Sequence, residues 1–200
     1  MTPPTDQNVS STASEAIQET LPIRMISKIV KGFGRGSSDL GIPTANLSSS
    51  PDDMKCEMSF DALPTGIYFG FARLVSTTAH DDNCKETLEG VYKAAISIGY
   101  NPCYKNQHKT IEPHLIAPQG HPSRTKSACQ ETQFHELYDE TMRLSIVGYL
   151  RPELPFEGLD KLILAIKGDI VNTEEMCDDL QTESFQVEDE KAWVLSNDNA

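Results

Sequence analysis

Apolar residues recur at every second position in several stretches of the chain, the period of half-buried β-strands. Ile67, Phe69 and Phe71 share one side of GIYFGFARLV; Tyr92, Ala94, Ile96 and Ile98 share one side of VYKAAISIGY; Met142, Leu144, Ile146 and Leu150 share one side of TMRLSIVGYL. RMISKIV alternates only in part, with Ile26 and Val30 on one side. With an extended KTIEPHLI the set amounts to five or six strands separated by turn signals, which predicts an antiparallel barrel or sandwich. One stretch has a different period. Leu159, Leu162, Ile163, Ile166 and Ile170 recur at spacings of three and four, which predicts a helix opening near Gly158, running on through NTEEMCDDL and packing one face on the sheet. Glu157 and Asp160 lie where negative charge favours a helix start.

The segments between these elements are polar and rich in turn formers, and they read as surface insertions near residues 48–60, 76–89 and 117–133. Residues 1–20 read as a disordered tail, residues 21–182 as the folded domain and residues 183–200 as an acidic tail in which Trp193 either docks on the barrel or stays exposed. A chain of 200 residues suits one domain of ordinary size.

The formal net charge of -13 argues against a nucleic-acid partner, because phosphate-backbone affinity depends on clustered Lys and Arg. An anionic substrate must then be held by a local site. No apolar run approaches the roughly 20 residues of a membrane span, and the first residues carry no secretory signal. The five cysteines are scattered without C-x-x-C spacing, as in an intracellular protein with reduced thiols. The expectation is a cytoplasmic monomer with no membrane partner, with a mitochondrial or membrane-associated pool left open.

Residues 32–46 read GFGRGSSDLGIPTAN. Glycine at this density lets backbone approach a phosphate closely, but the spacing matches neither a P-loop nor a dinucleotide fingerprint. A tight turn between strands accounts for the glycines taken alone. After Pro43 an extended chain projects Thr44 and Asn46 to one face, offering a hydroxyl and an amide carbonyl to a hard cation such as Mg²⁺. The same two residues also suit a simple turn. In KTIEPHLI alternation puts Thr110, Glu112 and His114 on one face and Ile111, Pro113 and Leu115 on the other. Pro113 has no N–H for a ladder, which predicts an edge or a bulge and allows Glu112 to face a cleft, although a solvated strand carboxylate fits the pattern as well.

Taken in order, GFGRGSSDLGIPTAN, LPTGIYFG, SIGYNPCYKN, KTIEPHLI and IVGYLRPELPFEGLDKLILAIKGDI closely resemble the riboflavin kinase family, from about Ile23 to Ile170. The resemblance implies a mainly β fold, a six-stranded antiparallel Greek-key β-barrel with a C-terminal α-helix packed on it. It implies an enzyme that uses metal-ATP to phosphorylate riboflavin at the ribityl 5′-hydroxyl, giving FMN and ADP. By resemblance Gly32, Gly34, Arg35, Gly36 and Ser38 wrap the ATP phosphates, Thr44 and Asn46 hold the divalent ion, and Glu112 is the catalytic carboxylate. The ion is Mg²⁺, with Zn²⁺ and Mn²⁺ left open. His114, Leu115 and Tyr138 fall where the family contacts the nucleotide, and Arg151, Leu154 and Phe156 on the loop that touches the flavin. Asp139 stands where many members have glycine, and Ser38 and Leu154 where some have lysine. The alternative is a flavin-binding barrel without catalysis, which would not need Thr44, Asn46 and Glu112 together.

Overall fold

The computed structural model describes residues 17–31, 44–75, 90–100, 109–116, 118, 120, 138–183 and 185–197. Seven strands are present among them: β1 Ile23–Val30, β2 Asn46–Leu47, β3 Met54–Cys56, β4 Gly66–Val75, β5 Tyr92–Tyr100, β6 Lys109–Ile116 and β7 Thr141–Arg151. All pairings are antiparallel, and the order β2-β6-β5-β4-β7-β1 closes on itself because β2 also pairs with β1. The result is a closed six-stranded barrel. The short β3 lies along β1 beyond β2, so the polar stretch near 48–60 contributes paired structure.

The barrel interior is filled from every strand, by Ile23, Met25 and Ile29 of β1, Tyr68 and Ala72 of β4, Ile96 and Ile98 of β5, Ile111 and Leu115 of β6, and Leu144 of β7, among others. Fully burying such a side chain is worth about 1.5–3 kcal/mol. Alternation in β5 and β6 falls as expected. In β1 the core side is Ile23, Met25, Ser27 and Ile29, the face opposite Ile26 and Val30. Ser27 can occupy a core position because its hydroxyl donates to Ser48 O at 2.8 Å. Leu150 also departs from expectation. Opposite β4, the ladder steps from Ile146 to Gly148 and from Tyr149 to Arg151, so Val147 and Leu150 are extra residues. Such bulges reverse the alternation. Tyr149 therefore packs on the interior cluster, while Leu150 turns outward.

Two helices cover part of the barrel's outer surface. The first, α1 (Leu159–Glu183), packs on β5 and β4, with Ile163, Ile166 and Ile170 against Ile116 and with Cys177 against Phe69 and Phe71. Leu159, expected on its packed face, is exposed. Burial raises the pKa of Cys177 to about 12, so the thiol is protonated and acts as a small apolar group. The second, α2 (Phe185–Leu195), occupies the stretch expected as an acidic tail and packs on β4 and β7 through Val187, Val194 and Trp193. Arg24 forms a two-point contact with Glu190 of α2 at 2.9 and 2.8 Å, and Ser145 donates to the same carboxylate at 2.7 Å. The Arg143 guanidinium lies 4.2 Å from the Trp193 ring centroid and donates to Trp193 O. At the other terminus Ile17, within the expected tail, is buried in the barrel core. No helix among the described residues is long and apolar enough to cross a membrane.

Replacing Arg24 with Leu strands a carboxylate whose side chain is 5% exposed. The expected loss is about 1–3 kcal/mol, read as a lower urea midpoint. The Arg24→Leu, Glu190→Leu double variant is expected to recover part of it, since an apolar pair leaves no buried charge uncompensated.

Candidate functional site

Pro113 organises the local backbone. Its carbonyl accepts from Ala45 N at 2.9 Å, and its nitrogen, on the same side of the strand, has no proton to offer. The ladder on that side is correspondingly short, consisting of Asn46 and Leu47, with Leu47 paired to Ile111. Carrying that register onward sets Asn46 directly across from Glu112. Directly opposed side chains in an antiparallel pair project to the same face with Cβ atoms about 4.5–5.5 Å apart. Leu47, Ile111 and Leu115 point into the core, so Asn46 and Glu112 point outward, and alternation puts Thr44 on their side.

Glu112 is half-buried on this outer face. Burial raises its pKa above the ordinary carboxylate value, and a hydrogen bond from Thr110 opposes that shift. The Thr110 hydroxyl lies 3.2 Å from both Glu112 Oε1 and Gly99 O, and it has one proton to donate.

The segment after β7 supplies the next wall. Arg151 closes a two-point contact with Asp169 of α1 at 2.7 and 2.6 Å, donates to Pro152 O at 3.0 Å and lies 5.8 Å from the Phe156 ring centroid. Its guanidinium ties this loop to the helix. Leu154 is exposed. Glu153 turns back over β5, where a Cβ added to Gly99 would meet its Oε1 at 1.8 Å. Gly99 is opposite Thr110, so the second carboxylate reaches the patch that holds Glu112. Partial burial and the Glu112 charge raise the pKa of Glu153, while a hydrogen bond from Thr65 lowers it.

The remaining expected residues do not share one environment. His114 is buried on the outer face opposite Ala95, whereas the Leu115 side chain is in the barrel core and only its backbone is turned elsewhere. Tyr138 is exposed in the turn before β7. Next to it Asp139 takes φ 69° and donates its N–H to Ile29 O at 2.9 Å, so aspartate adopts the left-handed geometry at a position where the resembled family often has glycine. Gly32, Gly34, Arg35, Gly36 and Ser38 lie outside the described residues. Among the described residues to either side of them, Val30 pairs with Asn46. Alternation already placed Thr110 on the face of Glu112; Thr65, Gly99, Glu153 and Asp169 were not singled out by the sequence patterns, and only the fold brings them here.

The donor set suits a hard divalent cation bound together with phosphate. Thr44 and Asn46 offer neutral oxygens, half-buried, beside a carboxylate. No group of three or more His, Cys, Asp or Glu among the described residues could hold a metal, so any ion here relies on these neutral ligands and on its substrate.

A family model described as riboflavin kinase matches residues 19–177. The chain is 39% identical over 160 residues to a riboflavin kinase of Aspergillus niger, covering 78% of this chain and 70% of that protein. It is 39% identical over 150 residues to a riboflavin kinase of Homo sapiens, covering 75% and 77%. Among solved structures, riboflavin kinase from Trypanosoma brucei superposes with a TM-score of 0.54 over 91% of each chain at 18% identity, a likeness of fold.

A raised carboxyl pKa has a sign in stability. Between the ordinary value of about 4.3 and the raised folded value, the folded state binds more protons, so stability falls as pH rises through that window. Glu112→Gln is therefore expected to melt higher than the wild type at neutral pH. The difference should vanish below the ordinary carboxylate range, and an equal gain at all pH values in thermal unfolding would contradict it.

Proposed function

We propose, because the chain belongs to the riboflavin kinase family, that it transfers the γ-phosphoryl group of ATP to the ribityl 5′-hydroxyl of riboflavin, producing FMN and ADP. The observation that carries this is the half-buried Glu112 set opposite Asn46 of the two-residue strand β2, which also pairs with the end of β1 at Val30. Glu112 accepts the hydroxyl proton as general base. A carboxyl with a raised pKa is better matched to that task near neutral pH than an ordinary one.

Thr110 suits both charge states of the base. When Glu112 is ionised, the threonine proton turns to Oε1; when Glu112 is protonated, its O–H donates to Thr110 Oγ1 and the threonine proton turns to Gly99 O. Neither state leaves an unsatisfied donor.

Phosphoryl transfer asks the protein chiefly to position reactants and to stabilise charge. Family membership implies ATP and a divalent metal as requirements. We assign the ion to Thr44 and Asn46 and take it to be Mg²⁺, which would neutralise phosphate charge when bound. Gly32, Gly34, Arg35, Gly36 and Ser38 are assigned to the phosphates. His114, the backbone of Leu115 and Tyr138 flank the nucleotide. The flavin ring lies along Arg151–Phe156, where Arg151, held by Asp169, sets the loop and Leu154 and Phe156 offer apolar contact.

Incubation of the purified protein with riboflavin, ATP and Mg²⁺, followed by chromatography of the flavins, is expected to yield FMN with equimolar ADP; bound but unchanged riboflavin would instead favour a flavin carrier. Glu112→Gln is expected to lower kcat by about 10²–10⁴ while ADP affinity stays near wild type. Thr110→Val removes the bond that lowers the pKa of Glu112, so the acidic limb of its rate profile should move to higher pH. An unmoved limb would separate Thr110 from the base.

A further inference from the structure

Glu153 is exposed, yet its carboxylate lies over β5 instead of reaching away from the barrel. It lies between Pro152 and Pro155, whose rings fix φ and restrict the path of the loop. Its side chain folds back onto the sheet, with Oε1 at the space that any side chain on Gly99 would need. One hydrogen bond comes from Thr65, and Glu112 is close enough for its charge to be felt. Two carboxylates thus approach one patch from opposite sides, each with a single threonine donor described for it. A carboxylate has room for about four hydrogen bonds. The nearest guanidinium along the chain, that of Arg151, is committed to Asp169.

Such a pair calls for a ligand that brings several hydrogen-bond donors without negative charge. The triphosphate of ATP is excluded from contact with Glu153 by repulsion, and the flavin ring presents chiefly carbonyl and ring-nitrogen acceptors. The ribityl chain is different. Its 5′-hydroxyl must reach Glu112 for the reaction proposed above, which sets the neighbouring secondary hydroxyls beside the other carboxylate.

We propose that Glu153 binds the ribityl chain, accepting hydrogen bonds from its secondary hydroxyls, and thereby makes the site selective for flavins that carry a polyol substituent. This rests on riboflavin being the substrate. Gly99 is part of the same device, since it is the missing side chain there that gives the carboxylate its place. A side chain at position 99 would push Glu153 off the patch.

The test compares riboflavin with lumiflavin, which has the same ring and no ribityl chain, by fluorescence titration in the presence of Mg-ADP. Glu153→Ala is expected to weaken riboflavin about 10- to 100-fold, the usual effect of losing hydrogen bonds to a charged group, and to leave lumiflavin unchanged. Glu153→Gln, which keeps one acceptor, should fall between. Gly99→Ala displaces the carboxylate without deleting it and should reproduce the riboflavin-selective loss, so it decides the matter if Glu153→Ala does not fold. Equal weakening of both flavins would mean that Glu153 only shapes the loop, and unchanged binding of both would remove it from the site. A raised Mg²⁺ requirement with unchanged riboflavin affinity would mean that the carboxylate serves a cation. Each of these three results overturns the proposal. Absence of FMN formation by the wild type would refute the kinase independently, because the two-flavin comparison reads binding alone.

Discussion

Asn46 and Leu47 hold β1 on one side and β6 on the other, and among the described residues they form the strand that closes the barrel. A sheet closed by so short a bridge cannot carry a long ladder there, and Pro113, which lacks the proton that a longer ladder would use, sits where that absence costs little. The same bridge opposes Asn46 to Glu112. Closure of the fold and assembly of the site are therefore one event. An amide and a carboxylate meet on the outer face because their neighbours Leu47 and Ile111 are drawn to the inner one.

The outer surface of the barrel is divided between packing and chemistry. Phe69, Phe71 and Ile116 are covered by the helices, whereas the neighbouring positions Gly99, Thr110 and Glu112 face the loop after β7. Charged two-point contacts set the boundary. Asp169 takes Arg151 and so fixes the loop relative to α1, while Glu190 takes Arg24 and fixes α2 against β1. Apolar contact alone is non-directional; these forked contacts add orientation.

Much of the barrel was legible because its strands obey a period of two; alternation in KTIEPHLI put Glu112 on a polar face, and the family resemblance singled it out. The core face of β1 was not legible because Ser27 occupies a core position, where its hydroxyl is satisfied by Ser48 O. Leu150 was misread because the bulges in β7 shift its alternation by one residue, and nothing local in TMRLSIVGYL announces them. The second helix was hidden for a related reason. The apolar residues of FQVEDEKAWVL do not recur with a helical period, and its docking includes Glu190 finding Arg24, a partner 166 residues away. Glu153 was illegible in the same sense, for its position is defined by a missing side chain at Gly99 on another strand.

The pairing of β1 with β7 also governs the order in which the chain can mature. A polypeptide leaves the ribosome from its N-terminus, so β1 emerges long before residues 141–151 exist to cover its second edge. Unpaired edges are templates for association with other chains. The early neighbours β2 and β3 both dock on the other edge of β1, leaving one side open throughout the synthesis of the middle strands. The sheet is thus left with one unfinished seam, between β1 and β4, until β7 arrives, and β7 brings with it the loop that carries Arg151 and Glu153.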